Sequence, residues 1–320
     1  VKNTFIGGLT ADAITTGTLN TAVGSSALTT DTLGNKTTAI GEGALAAQNF
    51  TTSTDTFNVA VGYQSGVSLT TGIQNTLIGS LTADALTDAD KNVAVGYQAL
   101  SSDTLGSNST AIGRGALFAQ NFTTATDSFN TAVGADAGNQ VTTGIENTLI
   151  GGQAGDALTT GLANTALGAF SLGADTKGKY TVAIGQGALA TQNFTTATDV
   201  HNVAVGYRAG VAVTTGIQNT IIGGLAGDAL TDADNNTALG YLALSAETNN
   251  NGNTAIGAES LKVQNAGGGG DARNTAVGFL AGAAVTTGVQ NTLIGSLAGD
   301  ALTDADKNVA VGDQALSSDT

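Results

Sequence analysis

The sequence predicts an all-β parallel solenoid of about eighteen coils. Three observations carry that prediction. A five-residue phrase, first seen as Asn3-Thr-Phe-Ile-Gly7 and last as Asn308-Val-Ala-Val-Gly312, occurs eighteen times. Its closing glycines run Gly7, Gly24, Gly41, Gly62 and Gly79, in steps of 17, 17, 21 and 17, and the same order of steps then recurs, so a short unit nests in a super-unit of 72. The phrase alternates with the two-residue period of a strand and shows no 3.6-residue period. Short periods of this kind belong to stacked structures in which each unit contacts its neighbours.

Within the phrase, position four is always Ile, Val or Leu, and position two is Thr or Val. β-Branched residues suit a strand, and these two positions share one face of it. That face is expected to line the inside of the coil. Positions one, three and five share the other face as Asn, Ala and Gly, with a bulky residue once per super-unit at Phe5, Leu77, Leu149, Ile221 and Leu293. A face of small residues permits close approach of another backbone. A homotrimer packed about a threefold axis accounts for it, with the bulky residue filling the axis every fourth coil. Asn20, Asn58, Asn75 and Asn92 are expected to stack as an amide ladder, with Gly24, Gly62, Gly79 and Gly96 beside them.

The second half of each unit often reads Ala-Leu, as at Ala99-Leu100, then turns at a Gly such as Gly106 or Gly144. Two short strands and two turns per unit follow, with coils about 4.8 Å apart and a rod on the order of 85 Å long. Residues 1–320 then form one continuous rod, and the lack of capping repeats marks a segment of a longer protein.

Composition narrows the function. The net charge of −15 argues against nucleic acid and against anionic membrane surfaces. No apolar run is long enough to span a bilayer as a helix. With no Cys, disulfides and thiolate metal sites are excluded. Abundant Gly, Thr, Asn and Ala fit a secreted or surface-displayed fibre.

The phrase Asn-Thr-Ala-Val/Ile-Gly-x-x-Ala-Leu, as in Asn92-Val-Ala-Val-Gly-Tyr-Gln-Ala-Leu100 and Asn236-Thr-Ala-Leu-Gly-Tyr-Leu-Ala-Leu244, resembles repeats of bacteriophage tail-fibre proteins. It is also similar to the head repeats of trimeric autotransporter adhesins, whose units are usually shorter. The resemblance spans essentially the whole chain. It implies a left-handed, homotrimeric β-roll serving attachment or display on a virion or cell surface, without identifying a receptor.

The 21-residue steps, near 42–57, 114–129, 186–201 and 258–273, are the places where a scaffold of this kind carries variable loops. Phe50, Phe122 and Phe194 are equivalent there, as are Phe57, Phe129, His201 and Arg273. These aromatics contact a glycan, a partner fibre or a neighbouring subunit on one reading. On the other they fold back to cover the widened coil, which aromatic burial favours. Tyr63, Tyr97, Tyr207, Tyr241 and Phe279 follow the invariant glycine and are expected at a partly exposed turn, packing between coils or stacking on sugars.

Asp84, Asp88 and Asp90, with equivalents at Asp228, Asp232 and Asp234 and at Asp300, Asp304 and Asp306, offer oxygen ligands for Ca²⁺. Their spacing matches no calcium loop, so solvated acidic turns are expected. His201 is the single histidine, and no Ser or Asp constellation surrounds it in the sequence. The Asn-Phe-Thr tripeptides beginning at 49, 121 and 193 match a glycosylation acceptor.

The sequence thus favours a non-catalytic structural fibre needing no cofactor or metal, on a virion surface or extracellular, whose main partner is itself. An extracellular filament or matrix protein, or a glycan- or ice-binding solenoid, is the alternative. Ice binding requires a regular exposed Thr array, and the position-two Thr is placed inside. On this scheme Arg in place of Ala94 or Ala204 disrupts assembly, and Asp in place of Ile78 unfolds its coil.

Overall fold

The computed structural model describes residues 2–318. Every regular element among them is a β-strand, arranged as a parallel solenoid. The chain divides into two compact units, residues 1–162 and 163–320. The first holds nine three-residue strands from Thr4–Ile6 to Thr148–Ile150, and the second holds nine from Thr165–Leu167 to Val309–Val311. Each strand is positions two to four of the phrase. Equivalent positions pair in register, as Thr76, Leu77 and Ile78 do with Val93, Ala94 and Val95, and those in turn with Thr110, Ala111 and Ile112.

The second strand expected in every coil forms only beside the long steps. Gly34–Asn35 pairs with Thr54–Asp55, Gly106–Ser107 with Thr126–Asp127, and Gly178–Lys179 with Thr198–Asp199. Elsewhere that arm of the coil is turn. Left-handed residues punctuate it, such as Gln98 and Leu100 at φ 54 and Lys91 at φ 58.

The two faces of the strand are the reverse of the sequence expectation. Position three is buried in all but the first coil, whereas positions two and four are half-buried or exposed throughout. Ala22, Ala60, Ala94 and Ala204 point inward, and Ile40, Ile78, Ile112 and Leu239 outward. The cause is the narrow cross-section. The opposite arm supplies Leu28, Leu45, Leu100 and Leu117, all fully buried, and these leave room for little more than a methyl group at position three.

The bulky residue of every fourth coil therefore fills the coil itself, and no threefold axis is needed to explain it. Leu77, Leu149, Ile221 and Leu293 are fully buried, and each faces a glycine where other coils have leucine: Gly66, Gly138, Gly210 and Gly282. Phe5, in the first coil, is partly exposed.

The invariant glycine has a similar explanation. Gly24, Gly62, Gly79 and Gly96 lie at φ between 133 and 141, a region closed to L side chains. A Cβ on Gly24, Gly79 or Gly96 would also come within 2.5 Å of the carbonyl oxygen of the next glycine in the column. The close backbone is the next coil of the same chain.

The asparagines form a buried ladder whose rungs are mainly amide to backbone. Oδ1 of Asn20, Asn58, Asn75 and Asn92 accepts the N–H of the equivalent residue one coil on, at 2.9 Å. Each Nδ2 donates to the carbonyl that closes its own coil, at Gly34, Gly72, Ala89 and Gly106 respectively. One side chain thus satisfies two backbone groups that the narrow coil removes from water.

Candidate functional site

Each long step and the short coil before it share a buried polar cluster that the sequence reading missed. Asp31, Asp103, Asp175 and Glu247 are completely buried, one per super-unit, in a column that continues with Gln48, Gln120, Gln192 and Gln264 in the long coils and with apolar residues such as Leu69, Leu86, Val141 and Leu158 in the other two. No salt bridge reaches them among the described residues. Neutral donors hold the carboxylate instead. Asp103 accepts from the N–H groups of Gly106 and Phe122, both at 3.1 Å, and from Gln120 Nε2 at 2.6 Å. Gln120 also donates to Ser109 Oγ, and its Oε1 accepts from Asn130 Nδ2. The same arrangement surrounds Asp31 with Gln48, Thr37 and Asn58, and Asp175 with Gln192, Thr181 and Asn202. Thr37, Ser109 and Thr181, which stand in place of the ladder Asn, accept from this glutamine through their hydroxyl oxygens, and Asn253 accepts from Gln264 in the fourth copy.

Phe50, Phe122 and Phe194 close the widened coil over this cluster and are 6–7% exposed. They are unavailable to a glycan or partner, which corrects the first reading of these loops. The fourth long step departs from the pattern. Glu247 accepts from three successive N–H groups, Thr248, Asn249 and Asn250, while Ala266 stands where the others have Phe. Gln264 Oε1 is there buried without a partner among the described residues.

Phe57, Phe129 and His201 are exposed, with φ of 52, 49 and 55. Lys36 Nζ lies 4.9 Å from the Phe57 ring centroid and 2.7 Å from Asp55. Tyr180 stacks on His201 at 5.3 Å and 6°. These are surface contacts between successive coils, and none has the geometry of an acid–base pair.

Tyr63, Tyr97, Tyr207, Tyr241 and Phe279 are about half exposed, in keeping with their place at a turn. The acidic turns gather no group of three or more metal-ligating side chains among the described residues. Asp90, Asp234 and Asp306 each accept a backbone N–H from the preceding coil, from Ile73, Ile217 and Val289 at 2.7–2.8 Å. Asp156 and Asp228 are shifted above the ordinary carboxylate range, chiefly by burial. The negative charge of Asp136 adds to the shift at Asp156, and Arg208 opposes it at Asp228.

The surface feature common to every coil is the outward strand face. Position four is Val, Ile or Leu in all eighteen copies, yet it is never in the core; Ile78 is 39% exposed and Leu167 42%. Strand propensity alone does not require this, since Thr serves equally well and position two uses it. No protein-family model matches the sequence, and comparison with curated proteins finds no match.

Proposed function

We propose that this chain is a non-catalytic fibre segment that assembles with copies of itself, as a homotrimer, through the outward Thr/Val and Val/Ile stripe. The observation that carries the reading is the apolar identity of position four in every coil despite its exposure. Contiguous exposed apolar surface is a mark of interaction sites. A stripe that repeats at the coil spacing is matched over its length by a partner with the same repeat, and a second copy of the chain has it. The resemblance to phage tail-fibre and adhesin-head repeats supports the same role: attachment or display on a virion or cell surface. The aromatic side chains exposed for glycan contact are Phe57, Phe129, Tyr63 and Tyr207, not the three buried phenylalanines.

Light scattering on the chain tests the assembly. A trimer that Val95→Arg and Val205→Arg reduce to folded monomers supports the proposal. A folded wild-type monomer overturns it.

A second reading draws on the same face. Position two is Thr in thirteen coils and points outward, which supplies the regular Thr row that an ice-binding solenoid needs. A folded monomer that shapes ice crystals would favour it over the fibre.

A further inference from the structure

The aromatic residues that follow the invariant glycine keep a spacing that packing within the chain does not require. In the second compact unit Tyr207, Tyr241 and Phe279 stand in alternate coils, with Gly224 and Ala258 in the coils between. In the first unit Tyr63 and Tyr97 stand two coils apart, with Ser80 between. Nowhere along this column do aromatics occupy adjacent coils, and its middle, from Arg114 to Gln186, has none.

The five rings are 46–55% exposed. None of them stacks on another ring or a cation, and no hydroxyl of the four tyrosines has a hydrogen-bond partner, among the described residues. Stacking from coil to coil needs aromatics in adjacent coils, as Tyr180 and His201 show at 5.3 Å. Rings in alternate coils are too far apart for that. Tyr241 instead leans back over the preceding coil, where its Cδ2 would lie 3.8 Å from a Cβ on Gly224. Tyr97 and Phe279 likewise follow small residues, Ser80 and Ala258, which leave room for a ring to lie against the surface. Half-exposed rings at a fixed spacing, with no partner of their own, form a platform for an external ligand.

Two features select the ligand. Two coils span about 9.5 Å, close to the length of two sugars in an extended β-1,4-linked glycan. Successive sugars of such a chain are turned over, so the same face recurs at every second ring, as the aromatics do. The net charge of −15 disfavours an anionic polymer. We infer that this column binds an extended, neutral β-1,4-linked glycan lying parallel to the stack of coils, with an aromatic ring under every second sugar. The apolar C–H face of the sugar covers the ring, and the free tyrosine hydroxyls meet its hydroxyl groups. This rests on the glycan contact named above, and not on self-assembly. A coiled α-linked glycan does not repeat in a straight line at this spacing and is not expected to bind.

The chain is sedimented with microcrystalline cellulose, with chitin and with insoluble starch, an α-linked control. Retention on cellulose or chitin but not on starch is expected, and the better of the two identifies the sugar. Tyr241→Ala should weaken binding roughly two- to tenfold, the worth of one aromatic contact, with the strand signal in circular dichroism unchanged. Tyr241→Gly combined with Gly224→Tyr keeps the number of rings and breaks their spacing. It should bind no better than Tyr241→Ala. Wild-type binding by that double variant, or equal retention on starch, overturns the match to a two-sugar repeat. Retention on starch alone overturns the β-1,4 linkage and keeps glycan contact, and no retention on any of the three overturns both. Light scattering on the same samples reads self-assembly separately.

Discussion

Leu77 occupies the space that a side chain at Gly66 would need: a Cβ on that glycine would lie 2.6 Å from Leu77 Cδ1. The large residue of one arm and the missing one of the other are a single packing decision, repeated at Leu149 with Gly138, Ile221 with Gly210 and Leu293 with Gly282. Gly66→Ala is therefore expected to cost about 1–3 kcal/mol through overpacking. Adding Leu77→Ala should relieve the clash but leave a cavity. Denaturant unfolding of the two variants checks both.

Ala94 and Val95 are adjacent in sequence but opposite in role. Ala94→Arg places a charge where exposure is zero and should unfold its coil. Val95→Arg should leave the strand signal in circular dichroism unchanged and abolish assembly. If Val95→Arg unfolds and Ala94→Arg does not, the faces are assigned wrongly.

Asp103→Leu leaves the donors of Gly106, Phe122 and Gln120 buried without their acceptor. A loss of about 1–3 kcal/mol for each buried donor left unsatisfied is expected. Asp103→Leu with Gln120→Leu should cost less than Asp103→Leu alone, because Leu is the residue other coils use in this column. A double variant less stable than the single one would contradict this.

The Asp228 carboxyl is raised above its ordinary range, mainly by burial. The fold therefore binds its proton more tightly than the unfolded chain does, and stability falls as pH rises from 3.8 through the raised value. Asp228→Asn removes that penalty. The variant should be more stable than wild type at pH about 7, and the gap should shrink as pH falls through the raised value. Urea titrations at about pH 7 and pH 3.5 would show the gap or its absence.

Gln74 has φ 60 and is exposed at the edge of the stripe. Gln74→Gly should raise stability by a few tenths to about 1 kcal/mol, the left-handed cost less the freedom glycine gains when unfolded. Thermal unfolding of the chain reads the shift.

The solenoid, its step lengths and its asparagine ladder were legible because a period and a backbone requirement leave direct marks in sequence. Gly24 and Gly79 had to be glycine, and Asn58 and Asn75 had to satisfy their neighbours. The direction of the strand faces was misread because apolar β-branched residues ordinarily go inside, and here the opposite arm fills the core first. The deciding sign was present in the pairing of Leu77 with Gly66 upstream of it, repeated in each later super-unit. Asp31 and Gln48 were overlooked for a related reason. A polar residue in a Gly- and Thr-rich stretch looks like a turn until the column above it is known to be core. The burial of Phe50 depends on that same widened coil.

The Asp–Gln pairs also fix how the chain can change in length. Along the core column the order of two polar and two apolar residues returns with every super-unit, from Asp31 and Gln48 to Asp103 and Gln120. Losing a long coil alone, such as residues 42–62, would set Asp31 against Leu69 and strand its carboxylate without the Gln48 and Phe50 donors. Losing a full block, such as residues 59–130, returns like to like at the splice. The molecule can be lengthened or shortened by recombination, provided each Asp coil keeps the long coil that follows it.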